Sequence, residues 1–344
     1  MSQAAAMVGA SRWGRCFVGP LFDVALIGGG LSVVAIPLLS SAPAMSVIDL
    51  GLLSAALLAA NSAHFAASTV RLYTKPGALR DWPFVTCGLP LAVLATLTLC
   101  IAFSDRLGPH LYALAFTWSP FHYAAQAYGL STMYCSRSGY RLEPRDRHLL
   151  YAACLLPFAY SFSSAAGVGL EWFVSADWLA SPAVAPIRGA WVAALGVLTL
   201  AAPAALFTRL RSSNGAAPPW IVSVLILSNG LWWVIFPYFS AFAWATVFHG
   251  VQYLAIVFVF HARERRAAGS VASGPLLALR FYASCLALAY ALFHALPIGY
   301  TALGFGYSES VLLVVAMINI HHFIVDRYIW RVRNDPRNAA VVGS

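Results

Sequence analysis

Four stretches of this chain set imidazoles beside carboxamides inside runs that are otherwise apolar. Asn61-Ser-Ala-His64-Phe65 is matched by Asn319-Ile-His321-His322-Phe323, and Phe121-His122 with Gln126 is matched by Phe248-His249 with Gln252. Asn61 and His64, Asn319 and His322, and His249 and Gln252 are three residues apart; His122 and Gln126, like His322 and Asp326, are four apart. On a helix each of these pairs shares one face. A polar or ionisable side chain in hydrocarbon is costly unless it meets a partner, a cavity or a ligand. Recurrence on four segments therefore points to a shared site.

A metal-ligating imidazole normally donates its other ring nitrogen to a carboxylate, carbonyl or amide, which fixes its tautomer and orientation. His64, His122, His249, His321 and His322 are accordingly the candidate metal ligands. Asn61, Gln126, Gln252, Asn319, Asp326 and Tyr253 are the candidates for orienting those ligands or contacting a substrate. Neutral imidazoles with few carboxylates suit iron, copper or zinc better than magnesium or calcium. The expected function is a membrane-embedded, metal-dependent oxidoreductase using non-haem iron or copper on a lipid-soluble small molecule.

Three other readings share these residues. In a proton- or cation-coupled transporter the same histidines and Asp326 would line a pathway. In a b-type haem subunit His122 and His249 would be axial ligands and a quinone the electron partner; no CxxCH marks covalent haem. As a subunit of a larger membrane complex, the chain would use the polar residues to grip a cofactor or lipid. The HxxxH and HxxHH boxes of integral-membrane di-iron desaturases and hydroxylases are absent, apart from the His321-His322 doublet, and no family is assigned.

The elements that must position these groups can be read from composition. Of 344 residues, 60% are hydrophobic and 10% charged, against roughly 25% charged in a soluble domain. The expected fold is all-α: a polytopic integral membrane helix bundle, one transmembrane domain over 1–344 with tails of about 1–17 and 331–344. Apolar windows of about 20 residues place ten spans near 18–41, 46–71, 83–104, 109–135, 148–166, 187–209, 218–238, 241–262, 274–298 and 308–330.

Arg12 and Arg15 precede the first span. Basic residues then recur after every second span: Arg71, Lys75, Arg80, Arg137, Arg141, Arg145, Arg147, Arg209, Arg211, Arg263, Arg265, Arg266, Arg327, Arg331, Arg333 and Arg337. The opposite side has Arg106 and Arg188. This bias puts both termini in the cytoplasm, as in a bacterial inner-membrane protein. It also accounts for the net charge of +9, with anionic lipid headgroups as the partner and no nucleic-acid motif.

The six cysteines show no CxxC spacing and read as small apolar packing residues. Ala42-Pro43-Ala44 resembles a signal-peptidase site, but the preceding apolar stretch is long for a signal sequence. Gly28-Gly29-Gly30 permits close helix approach. Asp23 and Arg280 are read as snorkelling toward the cytoplasmic surface, and His110, His148, His261 and His294 as interfacial.

Depth can be counted from the arginines. His64 lies seven residues before Arg71 and His322 nine before Arg331, whereas His122 lies fifteen before Arg137 and His249 fourteen before Arg263. Two histidine levels result, about 6 residues or ~9 Å apart at the helical rise, with the amides between them. That gap leaves open one metal, two metals, or a metal and a separate polar pocket.

Overall fold

The computed structural model describes residues 12–40, 47–165, 169–235, 239–330 and 341–343, and these are helical with no strand. The arginines at 331, 333 and 337 and the Ala42-Pro43-Ala44 sequence lie outside the described residues. The principal helices are α1 (Gly30–Ser40), α2 (Val47–Ala56), α3 (Ala63–Thr74), α4 (Leu89–Ala102), α5 (Ser104–Arg137) and α6 (Pro144–Ser164). They continue with α7 (Ala185–Asn214), α8 (Trp220–Ile235), α9 (Phe239–Ala267), α10 (Gly274–Tyr290), α11 (Leu296–Ala302) and α12 (Tyr307–Ile329).

Among the described residues, five segments are long and apolar enough to cross a membrane: Phe84–Ala102, Ala185–Asn214, Ala243–Ala267, Gly274–Ala302 and Tyr307–Ile329. Their outer faces are apolar too. On α7, Ile187, Trp191, Val197, Leu198 and Leu200 all point away from the protein. Contiguous apolar surface of this kind is unfavourable in water and favourable against lipid acyl chains, so the chain is read as embedded in a bilayer.

The described chain forms two compact units, one from residues 1–44 and 120–248, the other from 45–119 and 249–344. In the first, α6 packs against α7 and α8, and α8 against α1. The first apolar segment is interrupted. A π-helical turn, Asp23–Ile27, is separated from α1 by Gly28 and Gly29, and Gly29 takes φ +73, a left-handed value that suits glycine. Ser228 Oγ donates to the Gly28 carbonyl at 2.9 Å, satisfying a group that the break removes from the helix ladder. A β-carbon at Gly30 would lie 3.4 Å from the Val224 side chain, the close helix approach expected of the triple glycine.

Asp23 corrects an expectation. It does not snorkel but is fully buried, accepting from the backbone N–H of Phe17 (2.5 Å), Val18 (3.0 Å) and Gly19 (3.0 Å) and from Tyr134 Oη (2.7 Å). Four donors meet the carboxylate where water cannot, so it holds residues 17–19 rather than reaching for the surface. Arg280 is exposed, as a snorkelling residue would be.

In the second unit α3 packs against α10 and α12, and α12 also against α4 and α11. The core around these contacts is built from Phe65, Leu97, Ile101, Leu254, Val257, Phe281, Phe293, Leu313, Val314 and Met317. A second π-helical turn, Leu57–Ser62, joins α2 to α3. Such turns insert a residue into the helix and re-aim the side chains beyond it.

Candidate metal centre

Three helices of the second unit deliver imidazoles to one place. His64 opens α3, His322 sits near the end of α12, and His249 lies on α9; all three are fully buried. The His64 ring centroid is 4.7 Å from that of His322 and 5.0 Å from that of His249, both in edge-on contact. Tyr253, one turn after His249, places its ring 5.3 Å from both His64 and His322. Phe65 closes the apolar side, 5.1 Å from His322 and 5.9 Å from Phe293.

The hydrogen bonds fix two tautomers. His64 Nδ1 lies 2.6 Å from the Asn61 carbonyl oxygen. A carbonyl only accepts, so Nδ1 carries the proton and Nε2 the lone pair. Ser68 Oγ donates to the Phe65 carbonyl at 2.9 Å and lies 3.0 Å from His322 Nδ1. Its single proton being committed, the hydroxyl accepts from His322 Nδ1–H, and His322 Nε2 again carries the lone pair. That nitrogen faces Asp326 Oδ2 at 3.5 Å. The other carboxylate oxygen, Oδ1, accepts from Tyr253 Oη at 2.5 Å.

Asp326 therefore turns toward Tyr253 and His322, while the neighbouring Arg327 is exposed. Near the cluster, Arg71 is also buried. It pairs with Glu264 at 2.9 Å and stacks 4.5 Å from the Trp330 ring and 5.1 Å from Phe260. Arg71 is thus packed in the protein, paired with a residue that directly follows Arg263.

The expected site residues are drawn from both units. His64, His249, His322, Tyr253 and Asp326 come together in the second unit. Gln252 is buried there as well. Asn61 contributes through its backbone carbonyl. Asn319 is engaged otherwise: Nδ2 donates to the Val315 carbonyl at 2.8 Å and Oδ1 accepts from Ser119 Oγ at 3.4 Å. His321 is buried but adjacent in sequence to His322, so it leaves the helix roughly 100° away. His122 and Gln126 belong to the first unit, where the neighbouring Tyr123 packs on Trp232 and Trp233.

The two-level expectation changes for His249. Gly250, the residue after His249, meets the π-helical turn at Ala60 and Asn61, which precedes His64, and the His249 imidazole reaches the His64 ring. Of the remaining histidines, His110 and His148 are exposed, His261 lies against Phe281 at 4.5 Å, and His294 stacks on Tyr290 at 5.1 Å.

Ser68, Glu264, Gly250 and Tyr282 were not singled out by sequence. Ser68 carried a usable signal, standing four residues after His64 on the same helical face. No family model, curated protein or solved structure matches this chain.

Proposed function

We propose that the chain is a membrane-embedded, metal-dependent oxidoreductase in which His64, His249 and His322 hold a non-haem iron or copper ion that acts on a lipid-soluble substrate. The observation that carries this reading is the fully buried His64 ring flanked by His249 and His322. His64 and His322 have Nδ1 committed to oxygen acceptors and Nε2 as the lone-pair nitrogen, the arrangement in which outer hydrogen bonds orient metal ligands.

His322 and Asp326 are spaced as two ligands of such an ion. Two donor atoms at ~2.1 Å from one metal lie about 3.4 Å apart in a tetrahedral arrangement, and His322 Nε2 and Asp326 Oδ2 are 3.5 Å apart. A neutral imidazole lone pair facing a carboxylate oxygen is repulsive unless a cation or a proton lies between them. The donor set of neutral imidazoles with one carboxylate suits transition metals.

When bound, the ion would supply one-electron redox chemistry and polarise a substrate oxygen. The protein's own part is orientation and exclusion of water. Ser68 and the Asn61 carbonyl hold the two imidazoles, Tyr253 holds Asp326, and Phe65 and Phe293 keep one side apolar. In the same reading the chain crosses the membrane ten times with both termini cytoplasmic, and the substrate enters from the bilayer.

Metal analysis of detergent-purified full-length protein, with its visible spectrum, tests this. Stoichiometric iron or copper without a Soret band is expected, and a Soret band would select haem instead. No metal after gentle purification, together with unchanged thermal stability on adding iron or copper, would overturn the reading in favour of a transporter.

A further inference from the structure

The π-helical turn Leu57–Ser62 immediately precedes His64, and neighbouring helices grip it from two directions. Against α9 there is almost no gap: a β-carbon on Gly250 would lie 2.7 Å from the carbonyl carbon and oxygen of Ala60 and 3.0 Å from the Asn61 nitrogen. These are backbone atoms, which cannot swing aside as a flexible side chain can. From α10, Tyr282 Oη donates to the Ala59 carbonyl at 2.7 Å. That carbonyl lies in the turn, where the wider register displaces backbone groups from ordinary helical pairing. The oxygen two residues on, that of Asn61, receives the His64 Nδ1 proton. Consecutive residues of the turn thus meet Tyr282, Gly250 and His64.

We propose that Gly250 and Tyr282 are positioning residues of the metal site, clamping this turn so that the Asn61 carbonyl is aimed at His64 and His249 is carried up to it. The inference rests on the reading of the cluster as a metal centre. Gly250 acts doubly. It lets α9 approach the turn closely enough to place the adjacent His249 beside His64, and it presses on the residue whose carbonyl orients that ring. Tyr282 acts only through the turn. A side chain at 250 moves α9 away and separates the two imidazoles. Loss of the Tyr282 hydroxyl frees the Ala59 carbonyl and loosens the turn that sets the His64 tautomer.

The test is copper(II) titration of the purified full-length protein in detergent, with affinity measured against a competing chelator and the bound ion examined by electron paramagnetic resonance. Wild type should bind one ion per chain. Gly250→Ala and Tyr282→Phe should bind roughly 10–100-fold more weakly, the usual cost of losing a residue that orients a ligand, and with an altered spectrum. Gly51→Ala and Gly129→Ala, whose β-carbons meet nothing within 4 Å, should bind as wild type. If Gly250→Ala does not fold, Tyr282→Phe decides alone. Variants that melt earlier but keep wild-type affinity and spectrum would show a merely structural role and overturn the proposal. A wild-type protein that binds no copper sinks the metal reading itself, and this inference with it.

Discussion

Ser68 has no redox or acid chemistry to offer, yet it decides which nitrogen of His322 carries the lone pair. Its hydroxyl donates to Phe65 and accepts from His322 Nδ1. In Ser68→Ala that acceptor is gone, and metal affinity should fall roughly 10–100-fold with little change in helicity. Chelator competition and circular dichroism would check the two halves of that statement, and an unchanged affinity would remove Ser68 from the site. Tyr253→Phe acts on the carboxylate side, taking away the donor to Asp326 Oδ1. A buried hydrogen bond to a carboxylate stabilises by about 2 kcal/mol, so the metal-free variant should melt measurably earlier than wild type. At this scale the histidine pair His64 and His322 was legible, because each stands next to Phe and three residues after Asn. The tautomers were not, since they depend on a serine hydroxyl and a backbone carbonyl, acceptors that every helix offers and only geometry selects.

The secondary-structure elements explain why counting along the chain misplaced His249. Arg71, the sequence depth marker for His64, is buried against Glu264 and Trp330. The π-helical turn at Leu57–Ser62 re-aims the residues of α3 beyond it, and no residue pattern announced it. Helical character itself was legible from apolar runs of membrane length. The break at Gly28 and Gly29 was visible only as a run of glycines that equally suits close packing. Asp23 makes the first apolar segment's start testable. Its carboxylate holds three successive backbone N–H groups, so Asp23→Ala should free residues 17–19 and destabilise the first unit by about 3 kcal/mol or more. Faster tryptic cleavage at Arg12 and Arg15, both exposed, is the expected readout. Cleavage at the wild-type rate would mean that the carboxylate does not secure this segment.

At the scale of the whole molecule, the arginine bias makes a prediction independent of the metal. Reporter fusions active only in the cytoplasm should function at both ends of the chain, and a periplasm-dependent reporter at either end should be silent. The reverse result at one end would make the span count odd and break the ten-span reading. The division into two units was not legible, because each is assembled from segments distant in sequence: 1–44 with 120–248, and 45–119 with 249–344. That interleaving bears on how the protein is made. The ribosome finishes α3, with His64, long before it reaches His249 and His322, and residues 120–248 alone take on the order of 10 s at a typical synthesis rate. Throughout that interval His64 and Arg71 are in the nascent chain while His249, Glu264 and His322 do not yet exist. A chaperone, the insertion machinery or lipid headgroups must tolerate those polar side chains before their later partners exist, and a ribosome stalled before α12 would leave a product unable to complete its imidazole set.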